Sequence, residues 1–332
     1  MENNEIIEAK IESGHDKKSF AKSGVLGFFL GLAVIVPGIS GSTIAILFKL
    51  YNHILYCLSN LFKKFIKCIL FLIPLILGAI VGVGLGFVTI KQLLNILPFA
   101  TVFLFVGLMS GAFPGVKDEI KDIKPTKKLW TLFAVGLVIP ILISAGSYFL
   151  NNASSSTITP ESIVSKFNFG YALLFLAIGY IVAITQVVPG LSATAILMAF
   201  GYFKPFVDSV SLSFWKSNPI IFAVYACLGV GFLLGLFTFS KFLTYLFKIA
   251  KASTLYTIVG LSLGSIISMI ISTDMINVYT SWSAGGTMVV VDIVLGICMC
   301  AIGLIVGYAL VKHERNHNTS LEKIDKNIGN KQ

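Results

Sequence analysis

Residues 34–47 read VIVPGISGSTIAIL, and residues 186–198 read QVVPGLSATAILM. Pro37 stands over Pro189, Ser40 over Ser192 and Ile44 over Ile196. The correspondence continues downstream with one residue inserted: Gly78 and Gly82 fall on Gly231 and Gly235, and Gly107, Leu108 and Gly111 fall on Gly260, Leu261 and Gly264. Landmarks kept in one order at an offset of 152–153 describe an internal repeat. The copies run over about 20–150 and 169–311, joined by a polar linker at 151–168 that contains NNASSSTITPESIVSK.

Composition says what medium these repeats fold in. The chain has 332 residues, of which 56% are hydrophobic and only 12% charged, with a mean hydropathy of +0.90. A water-soluble domain carries about 25% charged residues. An ordinary soluble enzyme is excluded and an all-α polytopic membrane protein is expected, because in lipid a helix satisfies its own backbone. Six apolar runs reach the roughly 20 residues that a full crossing needs: 68–90, 96–115, 129–150, 219–247, 254–273 and 286–311. The rest form two pairs, each broken by Pro-Gly: 24–36 with 42–48, and 170–188 with 193–203. As helices, Gly24–Val36 covers roughly 20 Å and Ala193–Phe203 roughly 16 Å, against a hydrocarbon core of about 30 Å. Lys49 cuts short the first return arm and Lys204-Pro205 the second. We read re-entrant helical hairpins over about 24–58 and 170–209, each followed by three transmembrane helices; the arm 170–188 is itself long enough to span.

Net charge is +10, and Arg315 is the only arginine. The lysines gather between apolar runs, at 59–67, 116–128 and 241–251, which is positive-inside patterning and not a nucleic-acid surface. Segment 274–285 has no Lys or Arg, and the linker has only Lys166. Both termini are then cytosolic, in the tails 1–19 and 312–332, and no cleavable signal peptide is expected. Three spans per repeat is an odd number, so the second repeat enters inverted, an arrangement common among secondary transporters. The five cysteines, Cys57, Cys68, Cys227, Cys298 and Cys300, form no CxxC pair and read as inert membrane-facing thiols. No metal or cofactor is expected.

The chemistry gathers at the hairpin tips. Pro37 ends a half-helix, Gly38 permits a sharp turn, and Ser40 or Ser42 can cap the helix that follows. A helix start presents N–H groups and partial positive charge, and hydroxyls at Ser40, Ser42 and Thr43 add donors. The result is an anion cradle without a full charge. Pro189, Gly190, Ser192 and Thr194 repeat it, preceded by the polar Thr185 and Gln186 inside an apolar run. Tips near the bilayer midplane would suit an anionic group there. Lys49 and Lys204 are candidate entrance charges, or lysines that merely extend to the interface.

VPGISGST followed by Lys49-Leu50-Tyr51, with VPGLSAT in the second repeat, resembles the PopT-type polyprenyl-phosphate translocases, a family once known as a domain of unknown function. The resemblance covers about 20–311. It implies a flippase that returns undecaprenyl phosphate to the inner leaflet of the bacterial cytoplasmic membrane for reuse in cell-wall synthesis. It implies headgroup binding at Gly38, Ser40, Gly41, Ser42 and Thr43, and at Gln186, Gly190, Ser192 and Thr194, with Pro37 and Pro189 at the turns. Ser42 and Ala193 depart from the family pattern. The implied partners are the lipid substrate and membrane lipids, with no nucleic acid and with the coupling ion open.

Two rivals stand beside this reading. The undecaprenyl-diphosphate phosphatase type, which also uses inverted re-entrant hairpins, carries arginine in its motif and glutamates on a partner helix; here Gly41 and Ala193 occupy the arginine's places and no Glu lies in a span. A transporter or channel for a soluble anion fits the cradle as well, and the residues alone leave it open.

Overall fold

The computed structural model describes residues 17–36, 64–153, 158–188, 191–283 and 289–329, with positions 44, 50, 53, 54, 56 and 57. Every described element is a helix: α1 Lys17–Ile35, α2 Phe65–Ile96, α3 Pro98–Asp118, α4 Lys127–Ala153, α5 Pro160–Ser165, α6 Phe169–Val187, α7 Ala193–Ala199, α8 Phe203–Ser209, α9 Leu212–Ser217, α10 Ile221–Ile270, α11 Thr273–Ser283 and α12 Val289–Gly329. Among the described residues, six helices are long and apolar enough to cross a bilayer. The protein is an all-α, multi-pass membrane protein.

The spans correspond to the apolar runs, with two differences. Runs 219–247 and 254–273 are the two helical arms of a continuous segment, α10, broken at Ala250 by a non-helical conformation (φ −148°, ψ 46°), so the lysines of 241–251 ride on helical turns beside that break and not on a separate loop. The arm Phe169–Val187 also qualifies as a crossing helix. The side chains agree with a lipid solvent: in Val289–His313 only 11% of the most apolar window is buried, and Ile80, Phe237 and Ile305 are among the exposed residues. In water such a surface would aggregate; in hydrocarbon it carries no penalty.

Two compact units divide the chain, Met1–Thr89 with Ala309–Gln332, and Ile90–Tyr308. In the first, α1 packs on α2 through small residues. A β-carbon on Gly27 would overlap the Leu75 carbonyl, one on Gly78 the Gly24 carbonyl, and one on Gly82 the Phe28 carbonyl. In the second unit, α6 packs on the N-terminal arm of α10 in the same way: Gly179 on Leu228, Gly231 on Leu176, and Gly235 on Tyr180. Each contact of the first set becomes one of the second by adding 152 on one helix and 153 on the other.

A second pairing lies wholly within Ile90–Tyr308. Gly107 and Gly111 of α3 meet Cys300 and Leu304 of α12, and Gly303 meets Leu104. Gly260 and Gly264 on the C-terminal arm of α10 meet Phe133 and Leu137 of α4, and Gly136 meets Thr257. The contacts again match one for one. Here, however, the second span of each sequence repeat packs against the third span of the other. Buried Ser144 on α4 strengthens one of these seams by donating to the carbonyls of Ser268 (3.1 Å) and Ile271 (3.2 Å).

The structure adds helix to two segments and corrects one sequence reading. The linker contains α5, started by a reciprocal capping box in which Thr159 Oγ1 accepts from the Ser162 N–H and Ser162 Oγ accepts from the Thr159 N–H. Its Ile163 and Val164 are buried against Phe175, Phe206 and Ile221. Residues 312–329 continue α12 as helix. Cys57 and Cys68 are fully buried beside each other in the core formed by Leu50, Phe71 and Leu75, so they do not face lipid. All five cysteines are free thiols.

Candidate functional site

Pro37, Gly38, Ser40, Gly41, Ser42, Thr43 and Lys49 of the first tip lie outside the described residues, as do Pro189 and Gly190 of the second. The rest of the second tip is described. Helix α6 ends at Val187, and Val188 leaves it in an extended conformation. Ser192 N-caps α7, its Oγ accepting from the Ala195 N–H at 3.4 Å, in keeping with its place before an apolar run. The first residues of α7 carry N–H groups that no preceding helical turn can receive. Ser192 and Thr194 are buried, 8% and 6% exposed, and Ala195, Met198 and Ala199 around them are fully buried. Helices α4, α6, α10 and α11 enclose α7.

Thr185 and Gln186 stand on the last turn of α6, on the approach to this start. Thr185 Oγ1 donates to the Val182 carbonyl at 2.7 Å, and Gln186 Nε2 donates to Thr185 Oγ1 at 3.4 Å. Thr185 is buried and Gln186 exposed. Val188 lies with Leu243 and Ile258 in a core ringed by Val116, Leu191 and Phe247, close to the lysine-bearing end of α3 and to the lysines beside the Ala250 break of α10.

At the other end of α3 the structure assembles a polar cluster that the sequence does not reveal. Lys204 Nζ bonds Asp208 Oδ2 at 2.6 Å and Asn95 Oδ1 at 3.0 Å. Lys91 Nζ donates to the Asp208 backbone carbonyl at 2.7 Å. Asp274, at the start of the polar helix α11 beyond the last spanning turn, lies in the field of both Lys204 and Asp208. Burial raises its carboxyl to about 6; the Lys204 charge opposes that rise and Asp208 adds to it. Of these five residues the sequence reading includes Lys204 alone. The i,i+4 spacing of Lys204 and Asp208 is the signal that could have added Asp208; Lys91 and Asn95 give none, standing at the end of an apolar run. Next to the cluster, Phe99 stacks on Phe103 (4.2 Å) and meets Trp282 (4.8 Å), whose Nε1 donates to Asp292 at 3.2 Å. Asp292, on the first turn of α12, is thereby engaged.

Residues 30–289 match the family model described as VCA0040-like, undecaprenyl phosphate translocase-like. The chain belongs to this family. A polyprenyl-phosphate transporter of Staphylococcus aureus (strain NCTC 8325 / PS 47) is 28% identical over 250 residues, which are 73% of this chain and 83% of that protein. A polyprenyl-phosphate transporter of Vibrio cholerae serotype O1 is 24% identical over 258 residues, 72% of this chain and 74% of the relative. No solved structure matches the chain significantly. The family is one of transporters and not of enzymes, and its match takes in both Pro-Gly motifs and the whole polar cluster.

Proposed function

We propose that the protein returns undecaprenyl phosphate from the outer to the inner leaflet of the bacterial cytoplasmic membrane, for reuse in cell-wall glycopolymer synthesis. The transported group is a phosphomonoester on a long apolar chain. Its charge crosses hydrocarbon slowly because nothing there replaces its hydration. The observation that carries the reading is the start of α7: a Ser192-capped helix with Thr194 on its first turn, walled by apolar side chains in a transporter family. There N–H and hydroxyl donors substitute for water without a fixed cation that would hold the phosphate too tightly.

We read Gly38, Ser40, Gly41, Ser42 and Thr43 of the first tip, and Gln186, Gly190, Ser192 and Thr194 of the second, as the phosphate-binding residues. Pro37 and Pro189 turn the chain at two re-entrant hairpins in inverted repeats, with both termini cytosolic by the lysine distribution. The names of the two relatives supply the substrate class. The coupling ion is left open.

The test is a leaflet-resolved assay. Protein is reconstituted into vesicles with labelled polyprenyl phosphate, and the label left in the outer leaflet is read with an impermeant reagent. Transporter-dependent loss of outer label is the expected result. Loss of label at the protein-free rate, together with uptake of inorganic phosphate, would replace this reading with that of a soluble-anion transporter. In cells, depletion should expose more undecaprenyl phosphate at the surface.

A further inference from the structure

We propose that Lys91, Lys204 and Asn95 form a docking site for a phosphomonoester, at the end of α3 opposite the α7 start, where the headgroup is received before it reaches the Ser192 tip. This rests on the transport reading above for the identity of the ligand. Three elements bring the groups together: the last turns of α2 supply Lys91 and Asn95, α8 supplies Lys204 and Asp208, and α11 supplies Asp274. Both ammonium groups converge on one residue, Lys204 on the Asp208 carboxylate at 2.6 Å and Lys91 on its carbonyl at 2.7 Å. The carboxylate therefore holds the place at Lys204 that an incoming anion would take, with the Lys91 ammonium on the carbonyl of the same residue and Asn95 Oδ1 as a further polar contact 3.0 Å from Lys204.

An i,i+4 pair in which Lys204 is 36% exposed contributes little stability, so it can be exchanged cheaply. A phosphate offers three acceptor oxygens, makes shorter and stronger bonds to ammonium groups, and displaces a single carboxylate oxygen at little cost. Asn95 is exposed and Lys91 half-buried, so the cluster can be reached from outside the fold. Asp274 works against retention, since its negative charge repels a bound phosphate. The site thus favours capture followed by release and not storage. Along α3, the 21 residues between the two ends cover roughly 30 Å, about one hydrocarbon core. By the lysine topology the cluster lies on the outer face, where the spent lipid would arrive.

Initial rates of lipid transport against lipid concentration test this in proteoliposomes. Lys204→Gln and Lys91→Gln should each raise the apparent KM about tenfold, the loss of one charge-assisted bond, with a smaller effect on the maximal rate. Lys204→Arg should restore KM. Asp208→Asn keeps a polar group beside Lys204 but removes the competing charge, so it should lower KM. If Asp208→Asn and Lys204→Gln instead both leave KM at the parental value and lower thermal stability alike, the pair is structural and the docking site is overturned. Inorganic phosphate added outside should compete with the lipid yet not be accumulated. Accumulation of radiolabelled phosphate by a parent protein that moves no lipid would sink the lipid-transport reading, while the same KM shifts for phosphate would keep the site. A parent that moves lipid with KM unchanged in every variant would sink the site and keep the transport reading.

Discussion

Ser192 shows how one side chain serves both the fold and the proposed site. Its Oγ caps α7, and an N-cap Ser→Ala change costs about 1 kcal/mol. Helix α7 is seven residues long, so it depends on that cap and on the packing of Ala195, Met198 and Ala199. Ser192→Ala should lower the thermal midpoint only slightly, because a multi-span bundle has many other contacts. Combined with Ser40→Ala, it should reduce leaflet-resolved transport several-fold while membrane expression stays near the parental level. Parental transport by the double variant would leave both serines as helix caps and nothing more. At this scale the legible residues are those whose chemistry is local: a Ser before an apolar run is a cap wherever it stands. Lys91, Asn95 and Asp274 are not legible as a group, because each sits alone at the end of an apolar run. Only tertiary packing brings them to Asp208 across 110 residues or more of sequence on one side and 60 or more on the other.

Helices pack here by backbone contact, and the glycine pattern predicts where a methyl group is intolerable. Gly107 and Gly260 occupy matching places, one on the Cys300 carbonyl and the other on the Phe133 carbonyl. Valine at either must push two helices apart, an overpacking cost of about 1–3 kcal/mol. Gly107→Val and Gly260→Val should therefore both lower the thermal midpoint in detergent by several degrees. A β-carbon on Gly229 would meet no heavy atom within 4 Å, and Gly229→Ala should be neutral or stabilise by up to about 1 kcal/mol through helix propensity. Equal tolerance at all three would refute the close packing. The sequence spacing points to these glycines as matching positions of the two repeats, but not to the exchange in which α3 packs on α12 and α10 on α4. Nothing in a periodic pattern says which copy a third span joins. Gly201 is a second element-scale case. At φ 75° it ends α7 with a Schellman motif, its N–H on the Met198 carbonyl and the Tyr202 N–H on the Leu197 carbonyl, so that the chain can turn into α8 and present Lys204. Gly201→Val should disturb the Lys204 cluster as well as stability, visible as a raised KM in the assay above.

For the whole molecule, orientation is the property on which every functional step depends. An inward flippase needs the α7 start and the Lys204 cluster on specified sides. Lysine placement is the only sequence signal for this, and it is a strong one: five lysines between 116 and 128 against none between 274 and 285. The fold is consistent with that division in one respect. Lys91, Asn95, Lys204, Asp208 and Asp274, the last in the segment without Lys or Arg, meet one another, while Val116, Leu243 and Phe247, near the lysine-rich segments 116–128 and 241–251, share a separate core. A wrong assignment of one segment would have required a chain crossing to bring these groups together. Single cysteines at Ser155 and Thr280, in a background lacking Cys57, Cys68, Cys227, Cys298 and Cys300, should therefore react with an impermeant thiol reagent applied to intact cells. Cysteines at Lys64 and Lys124 should react only after the membrane is opened. Because Cys57 and Cys68 are buried side by side, the background is best made with Ala or Val there, which keeps the core apolar and the bundle intact. Labelling of Lys124→Cys from outside, with Thr280→Cys protected, would invert the molecule. The Lys204 cluster would then face the cytosol, and the same geometry would describe export of the headgroup and not its return.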